Sequence, residues 1–416
     1  MKKLLSTALL LAFGFSASFA ADASSLASNG INFMFFWGFP SKDKKCQEQT
    51  VQKEFKVPKG QTLTVDLKTG GAIKISGWDK ELVSVCARFE GKNWQDCNVE
   101  FDEKDNGVSI NSKYNGASNT WSASCDLEIK VPDKFDLSLY TMGGDIELRN
   151  IEGRFSGKTL GGKLKLDHLK GYLELKTLGG GIDLTDSDVD GRVETLGGPV
   201  DIRNVTGNIK GPSMGGVVRY SNVSHKGSRA LGDGKTEADG EATGKSSGEV
   251  RISSMGGSIN VEEAPQGAEL STMGGAITVN KAKQYVEAKT MGGDIKIMDI
   301  DGRVIASTMA GNVEVNLTGS GDGHDVKISS LSGDITLVVP MDLSMDVDVK
   351  LNYTESREGE YKIISDFSLQ QNESDEWDDS QGTPRKQMTG TGSFNGGKNK
   401  ITIETINGNV YLKKRG

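Results

Sequence analysis

Histidine, cysteine, proline and aromatic residues are all scarce in this chain of 416 residues. It has three histidines, four cysteines and eight prolines, and aromatic residues make up 6% of it. No two of the histidines, His168, His225 and His324, are spaced as metal ligands. We therefore predict that all three are solvated turn residues, and we expect no metal or cofactor.

The four cysteines, Cys46, Cys86, Cys97 and Cys125, all lie in the first third of the chain. An even count confined to one region predicts two disulfides if the protein is exported, and three pairings are conceivable. We favour Cys86–Cys97, across a hairpin turn at residues 90–93, together with Cys46–Cys125. A zinc site is the alternative, but no CxxC motif occurs and no histidine lies near.

Long apolar runs are absent beyond the N-terminus. Lys2 and Lys3 precede an apolar stretch from Leu4 to Phe15, and the small-residue site at residues 18–20 predicts cleavage after Ala20. This run is too short to span a membrane. The pattern predicts a signal peptide over 1–20 and an exported protein, in the periplasm or at the cell surface.

The chain is also short of positive charge, with a formal net charge of −8 that becomes about −10 once the two signal lysines are removed. An acidic surface argues against binding to nucleic acid and against electrostatic docking on anionic lipid.

Glycine is abundant, with 54 residues, and much of it belongs to a repeat. Thr or Ser, then Met or Leu, then a glycine-rich pair recurs at intervals of 18 residues from Met142 to Met214 and, after an interruption, again from Met255 to Met309. We call its Met and Leu residues the Met/Leu stripe: Met142, Leu160, Leu178, Leu196, Met214, Met255, Met273, Met291 and Met309. Degenerate copies follow at 331–334 and 406–409.

Apolar residues alternate on both sides of each repeat corner, as at Ile146 and Leu148 or at Leu173 and Leu175. Period two indicates strands with one buried face. One coil cannot bury that face alone, so stacked coils must share a continuous core. The sequence therefore predicts a parallel β-solenoid, a right-handed β-helix by the general preference for crossovers, with coils of about 18 residues.

The direction of the Met/Leu stripe is open at this point. If the Thr of each corner points inward, the next residue points outward, and the stripe is an apolar binding surface. The alternative is a corner that turns there and tucks these side chains into the core. We expect the Thr/Ser hydroxyls to bond to backbone or to each other.

Five regions follow from these patterns. They are a signal peptide (1–20), an N-terminal segment with an aromatic run (21–49), an irregular β cap (50–135), the solenoid with a lateral loop at 226–249 (136–340), and C-terminal coils and cap with an acidic loop at 373–385 (341–416). The Thr69-Gly70-Gly71 corner suggests that the cap continues the same winding.

The segment from Asp186 to Gly191 matches the start of a calcium loop, but Gly197 stands where the twelfth-position Glu is required. We predict a structural turn there, with weak calcium binding as the alternative.

The motifs 57–60, 70–71, 77–79 and 131–132, followed by Thr-Met-Gly-Gly-Asp-Ile, resemble the bacterial putative-adhesin β-strand-repeat family, a domain of unknown function related to head GIN-type domains. The resemblance covers residues 50–416 and implies an envelope or surface β-solenoid without catalytic residues. We expect a non-enzymatic adhesin-like or scaffold protein whose partner is an envelope protein or a surface glycan. The alternative is a carbohydrate-active enzyme on a β-helix, a polysaccharide lyase or glycosidase.

Overall fold

The computed structural model of the protein describes residues 50–91, 94–116, 123–224, 249–380 and 382–415. The predicted signal peptide, the aromatic run, Cys46 and nearly all of the lateral loop lie outside these residues. Within them, no helix is long and apolar enough to cross a membrane.

The described residues form 28 β-strands in one mostly parallel sheet. The first fourteen are β1 Thr50–Phe55, β2 Thr62–Leu67, β3 Ile73–Trp78, β4 Val83–Gly91, β5 Cys97–Lys104, β6 Gly107–Tyr114, β7 Ala123–Pro132, β8 Asp136–Thr141, β9 Ile146–Thr159, β10 Leu164–Thr177, β11 Ile182–Thr195, β12 Val200–Thr206, β13 Ile209–Lys210 and β14 Val218–Ser224.

The remaining strands are β15 Val250–Ser254, β16 Ile259–Ala264, β17 Ala268–Thr272, β18 Ile277–Lys289, β19 Ile295–Thr308, β20 Val313–Leu317, β21 Val326–Ser330, β22 Ile335–Val339, β23 Met345–Thr354, β24 Ile363–Ser365, β25 Gln370–Glu373, β26 Arg385–Phe394, β27 Asn399–Ile406 and β28 Val410–Lys414. Short 3-10 helices at Trp94–Asp96 and Glu355–Arg357 are the only helical segments in this part of the chain. The predicted all-β, mostly parallel fold is confirmed.

Parallel strands stack in two columns, and each layer of the stack is called a rung. In the first column Ile146 pairs with Leu164, which pairs with Ile182, so that each partner lies 18 residues further along the chain. In the second column Phe155 pairs with Leu173 by the same offset. Equivalent residues of successive repeats therefore lie directly above one another.

The core follows from the alternation. Along β10 the apolar residues Leu164, Leu166, Leu169, Leu173 and Leu175 are buried, and the residues between them are largely exposed or half-buried. Because the strands are in register, these side chains form continuous apolar columns through the stack. Burial of such columns is the main force that holds successive rungs together.

The N-terminal region continues the stack. Strand β2 pairs in parallel with β8, and β3 pairs in parallel with β9. The two strands on either side of Thr69-Gly70-Gly71 therefore form a rung beneath the first full repeat. Antiparallel strands β1 and β4 join this rung at its edge through β7. Unpaired strand edges favour association, and β4 covers the edge of β7 that lies opposite β3.

At the other end β27 and β28 pair in parallel with β21 and β22. The acidic loop lies between β25 and β26, which form an antiparallel pair, and β26 also pairs with β23. Trp377 of this loop packs edge-on against Tyr353, with 5.8 Å between ring centroids, and the Lys386 ammonium lies 5.1 Å from the Trp377 ring. These two contacts anchor the acidic loop to β23 and β26.

The Cys86–Cys97 disulfide is not formed, and no two of Cys86, Cys97 and Cys125 are joined. The reason is that β4 and β5 do not form the expected hairpin: β4 pairs with β1 and β7, whereas β5 pairs with β6. Burial, with a smaller contribution from Asp126, raises the pKa of the Cys125 thiol to about 12. A thiol held in its protonated form is a poor nucleophile and a poor zinc ligand. The Cys46–Cys125 pairing stays a prediction.

Candidate functional site

A ladder of buried hydroxyls closes each corner of the stack. The Thr177 hydroxyl donates to the Gly162 carbonyl oxygen of the preceding rung at 2.7 Å, and it accepts from the Gly180 N–H at 3.2 Å. The same donation recurs in most rungs, and we name the donors the Thr/Ser ladder: Thr141, Thr159, Thr177, Thr195, Ser213, Thr272, Thr290, Thr308, Ser330 and Thr405. The ladder hydroxyls thus bond to backbone carbonyl oxygens, which is one of the two arrangements predicted from the sequence.

The two glycines of a corner have different roles. A Cβ atom added at Gly180 would lie 1.9 Å from the Gly162 carbonyl oxygen, whereas one added at Gly179 would meet no atom closer than 3.7 Å. The second glycine is therefore required by the close approach of adjacent rungs. The first is replaceable, as Ala310 and Ser332 show in later repeats.

The Met/Leu stripe faces solvent. Most of the strands in this column end at the ladder residue, and the Met or Leu that follows lies at the bend of the corner. Seven of the nine stripe residues are exposed, from 36% at Leu196 to 52% at Met273. The other two, Leu160 and Leu178, are half-buried. The alternative in which the corner tucks them into the core is wrong: the chain does bend at the Met or Leu, but the bend leaves the side chain on the outer surface.

This exposure predicts the order of methionine oxidation. Mild peroxide treatment of the native protein is expected to convert Met273 and Met291 to sulfoxides well before Met345, which is 0% exposed. Peptide mapping by mass spectrometry follows the three sites in one sample. Equal oxidation rates would contradict the outward orientation of the stripe.

A second column of special residues marks the bend within each long strand. Asn150, His168, Asp186, Asn204 and Asn222 all have positive φ, between 48° and 56°. Asn, Asp and His tolerate this region better than other side chains with a Cβ. Amide groups also bond along the column, from Asn222 to Asn204 and from Asn204 to Asp186, each at 2.9 Å.

The predicted calcium segment belongs to this column, which supports the structural turn. The ligand atoms of Asp186 lie within 4.8 Å of those of Asp167 and His168. Burial of Asp167 opposes its ionisation, but hydrogen bonds from His168 and Thr185 outweigh that effect and lower the pKa of this carboxyl. Its oxygen is thus already used within the protein.

The prediction for the histidines needs one correction. His168 is exposed at the bend, as expected, and His225 lies outside the described residues. His324, however, is buried, and its ring nitrogens contact Asp301 Oδ1 at 2.8 Å and the Gly321 carbonyl oxygen at 2.9 Å. The segment before β21 folds back over the preceding rung, so this side chain is enclosed rather than solvated.

The stack is interrupted where the lateral loop leaves it. Strand β13 pairs with β11 and β15 pairs with β17, but β13 and β15 do not pair with each other. The segments that follow them meet at the isolated bridge between Ser213 and Ser254 and at the hydrogen bond from the Gly256 N–H to the Met214 carbonyl oxygen. A groove of about 330 Å³ opens at this break beside the Met/Leu stripe. Its lining includes three basic side chains and one acidic side chain: Arg192, Lys210, Arg251 and Glu194.

Charges in the groove are largely paired. The Glu194 carboxylate accepts from the Lys176 ammonium at 2.7 Å and from the Arg192 Nε at 2.9 Å. These cations, Lys176 above all, lower the pKa of the Glu194 carboxyl. Arg251 forms an ion pair with Glu249. No motif in the sequence indicates this groove, because it depends on the break between β13 and β15.

Comparison with known proteins yields distant likenesses only. No protein-family model matches the chain, and no curated protein matches it. Among solved structures, a putative cell adhesion protein from Clostridium sporogenes is 10% identical, covering 88% of this chain and 100% of its own, with a TM-score of 0.18. A putative adhesin from Parabacteroides merdae is 12% identical, covering 70% of this chain and 96% of its own, with a TM-score of 0.22. At these TM-scores neither likeness carries an argument about function, and the particular family suggested by the sequence stays a prediction.

Proposed function

We propose that the protein is a non-enzymatic, adhesin-like or scaffold protein of the cell envelope, exported to the periplasm or the cell surface. In this proposal the stack is a right-handed β-solenoid with coils of about 18 residues, and it holds the Met/Leu stripe rigid along one side. The supporting observation is that stripe. Soluble proteins rarely expose long continuous apolar surfaces unless they bind something there.

The chemistry of the stripe favours one of the two predicted partner classes. Thioether and isobutyl side chains offer apolar contact but no hydrogen bonds, whereas glycans present many hydroxyl groups that need polar partners. An envelope protein with an apolar face of its own fits the Met/Leu stripe better than a surface glycan does. Because each Met is already about half buried, covering its exposed part would contribute roughly 1 kcal/mol.

Polar substitution within the stripe tests this proposal. The triple variant Met255→Gln, Met273→Gln, Met291→Gln is expected to lose at least about ten-fold in partner binding, since a loss of 1.4 kcal/mol corresponds to that factor. The measurement is affinity capture of the full chain from solubilised envelope extract, with captured proteins identified by mass spectrometry and then titrated as purified partners.

A matched control uses outward residues of the same rungs in the first column. Asn260→Gln, Thr278→Gln and Lys296→Gln change the surface equally but leave the stripe intact, so binding should persist. Circular dichroism checks that both variants fold. Equal binding by the two triple variants would refute the role of the stripe.

The groove supplies an observation in favour of the enzymatic alternative. Arg192, Lys210 and Arg251 converge there, and basic side chains are among the groups that an enzyme acting on acidic polysaccharides would need. Release of unsaturated or reducing ends from alginate or pectate, abolished by Lys210→Ala, would establish that alternative.

A further inference from the structure

We propose that the methionines of the Met/Leu stripe form a linear binding site for a soft monovalent cation, Cu(I), held between the thioether sulfurs of neighbouring rungs. This inference concerns the sulfur atoms alone and does not rest on the proposed protein partner. The five residues that carry it occupy successive rungs: Met214, Met255, Met273, Met291 and Met309.

Backbone hydrogen bonds place these residues directly above one another. The Met273 N–H donates to the Met255 carbonyl oxygen at 3.2 Å, and the Met291 N–H donates to the Met273 carbonyl oxygen at 3.2 Å. At either end the donor is the residue after the methionine: the Gly256 N–H donates to the Met214 carbonyl oxygen at 2.7 Å, and the Ala310 N–H donates to the Met291 carbonyl oxygen at 3.1 Å. The methionines therefore repeat at the interstrand distance, about 4.8 Å.

This spacing matches the size of the proposed site. With a metal–sulfur bond of about 2.3 Å, as in zinc thiolates, two sulfurs on opposite sides of one ion lie about 4.6 Å apart. Met has three rotatable bonds, so sulfurs on neighbouring rungs can adjust to this distance without moving the backbone. Exposure of 44% to 52% leaves the side chains accessible to an ion from solvent.

The donor set selects the kind of ion. Thioethers are soft ligands that favour Cu(I), whereas Mg²⁺ and Ca²⁺ require oxygen. The formal net charge of −8 attracts cations to the protein in general. A neutral sulfur ladder on an acidic chain thus suits a monovalent soft cation.

The fold itself does not require methionine in these rungs. Leu160, Leu178 and Leu196 occupy the same position of the corner in the preceding repeats, so leucine fits the corner as well as methionine does. Substitution of Met by Leu therefore removes the sulfur and keeps both the fold and the apolar surface, which separates metal binding from apolar docking.

Titration of the full chain with Ag(I), a soft monovalent probe that needs no reductant, tests the proposal. With the methionine ε-methyl groups labelled with ¹³C, we expect saturable shifts of the five stripe resonances and none for buried Met345. About two silver equivalents should bind in this way, because each ion uses two neighbouring sulfurs and five sulfurs form two pairs that share none. Silver bound by cysteine thiols leaves these methyl resonances unchanged.

Two variants complete the test. Changing all five methionines to leucine should lower the total amount of silver bound by about two equivalents, yet leave capture of the envelope partner intact. Leu178→Met with Leu196→Met should extend the ladder and add about one equivalent. Unmoved stripe resonances at silver excess, or an unchanged silver stoichiometry in the leucine variant, would overturn the proposal without affecting the proposed partner binding.

Discussion

Replacing the second glycine of one corner, Gly180→Ala, is expected to lower the free energy of unfolding by about 3 kcal/mol or more. The new methyl carbon would lie 1.9 Å from the Gly162 carbonyl oxygen and 2.4 Å from its carbonyl carbon. Both are backbone atoms of the adjacent rung, so no side chain can move aside. The rungs would have to separate, with loss of parallel hydrogen bonds and of packing in the apolar columns.

The neighbouring glycine provides the control for this prediction. A methyl group at Gly179 would lie 3.7 Å or more from its neighbours, which is ordinary van der Waals contact. Gly179→Ala should therefore change the free energy of unfolding by less than about 0.5 kcal/mol, as surface substitutions usually do. Urea denaturation followed by far-ultraviolet circular dichroism compares the two variants, and equal midpoints would contradict the assignment of roles.

Thr177→Val is expected to destabilise the protein by about 2–4 kcal/mol. The substitution keeps the shape of a side chain that is fully buried, but it removes the hydroxyl shared by the Gly162 carbonyl oxygen and the Gly180 N–H. Two backbone groups then lose a buried partner, and each unsatisfied group costs about 1–3 kcal/mol.

Serine at position 177 tests whether loss of the hydroxyl causes the loss of stability expected in the valine variant. Ser213 and Ser330 already serve as members of the Thr/Ser ladder, with donor distances of 2.8 and 3.0 Å. Thr177→Ser should lose only the contribution of one methyl group, about 1 kcal/mol. If the valine and serine variants unfold at the same urea concentration, the ladder does not stabilise the corner through hydrogen bonding.

Much of the candidate site could be predicted from the sequence because it repeats. The column of Met and Leu residues, the ladder of Thr and Ser and the glycine pair are visible as letters at fixed intervals, and in-register stacking turns such intervals into columns. The groove, the buried environment of His324 and the pairing of β4 had no such signal, because each arises where the repeat is broken or absent.

The cysteines illustrate that difference. A turn between two β-rich stretches predicted a hairpin and hence Cys86 opposite Cys97. In the structure β4 lies between β1 and β7, so that Cys86 is opposite Gln52 and Glu128. The choice of strand partner depends on free energy gained over the whole edge of the sheet, which local sequence does not encode.

The sequence by itself determined the all-β fold, the parallel stacking and the identity of the corner residues, because period-two alternation and an 18-residue repeat leave few other ways to bury the apolar residues. Only the tertiary structure decided that the Met/Leu stripe faces solvent. That outcome depends on hydrogen bonds between rungs, such as the one from the Met273 N–H to the Met255 carbonyl oxygen. Those bonds hold successive corners in register, so that the Met or Leu at each bend keeps the same outward position from rung to rung.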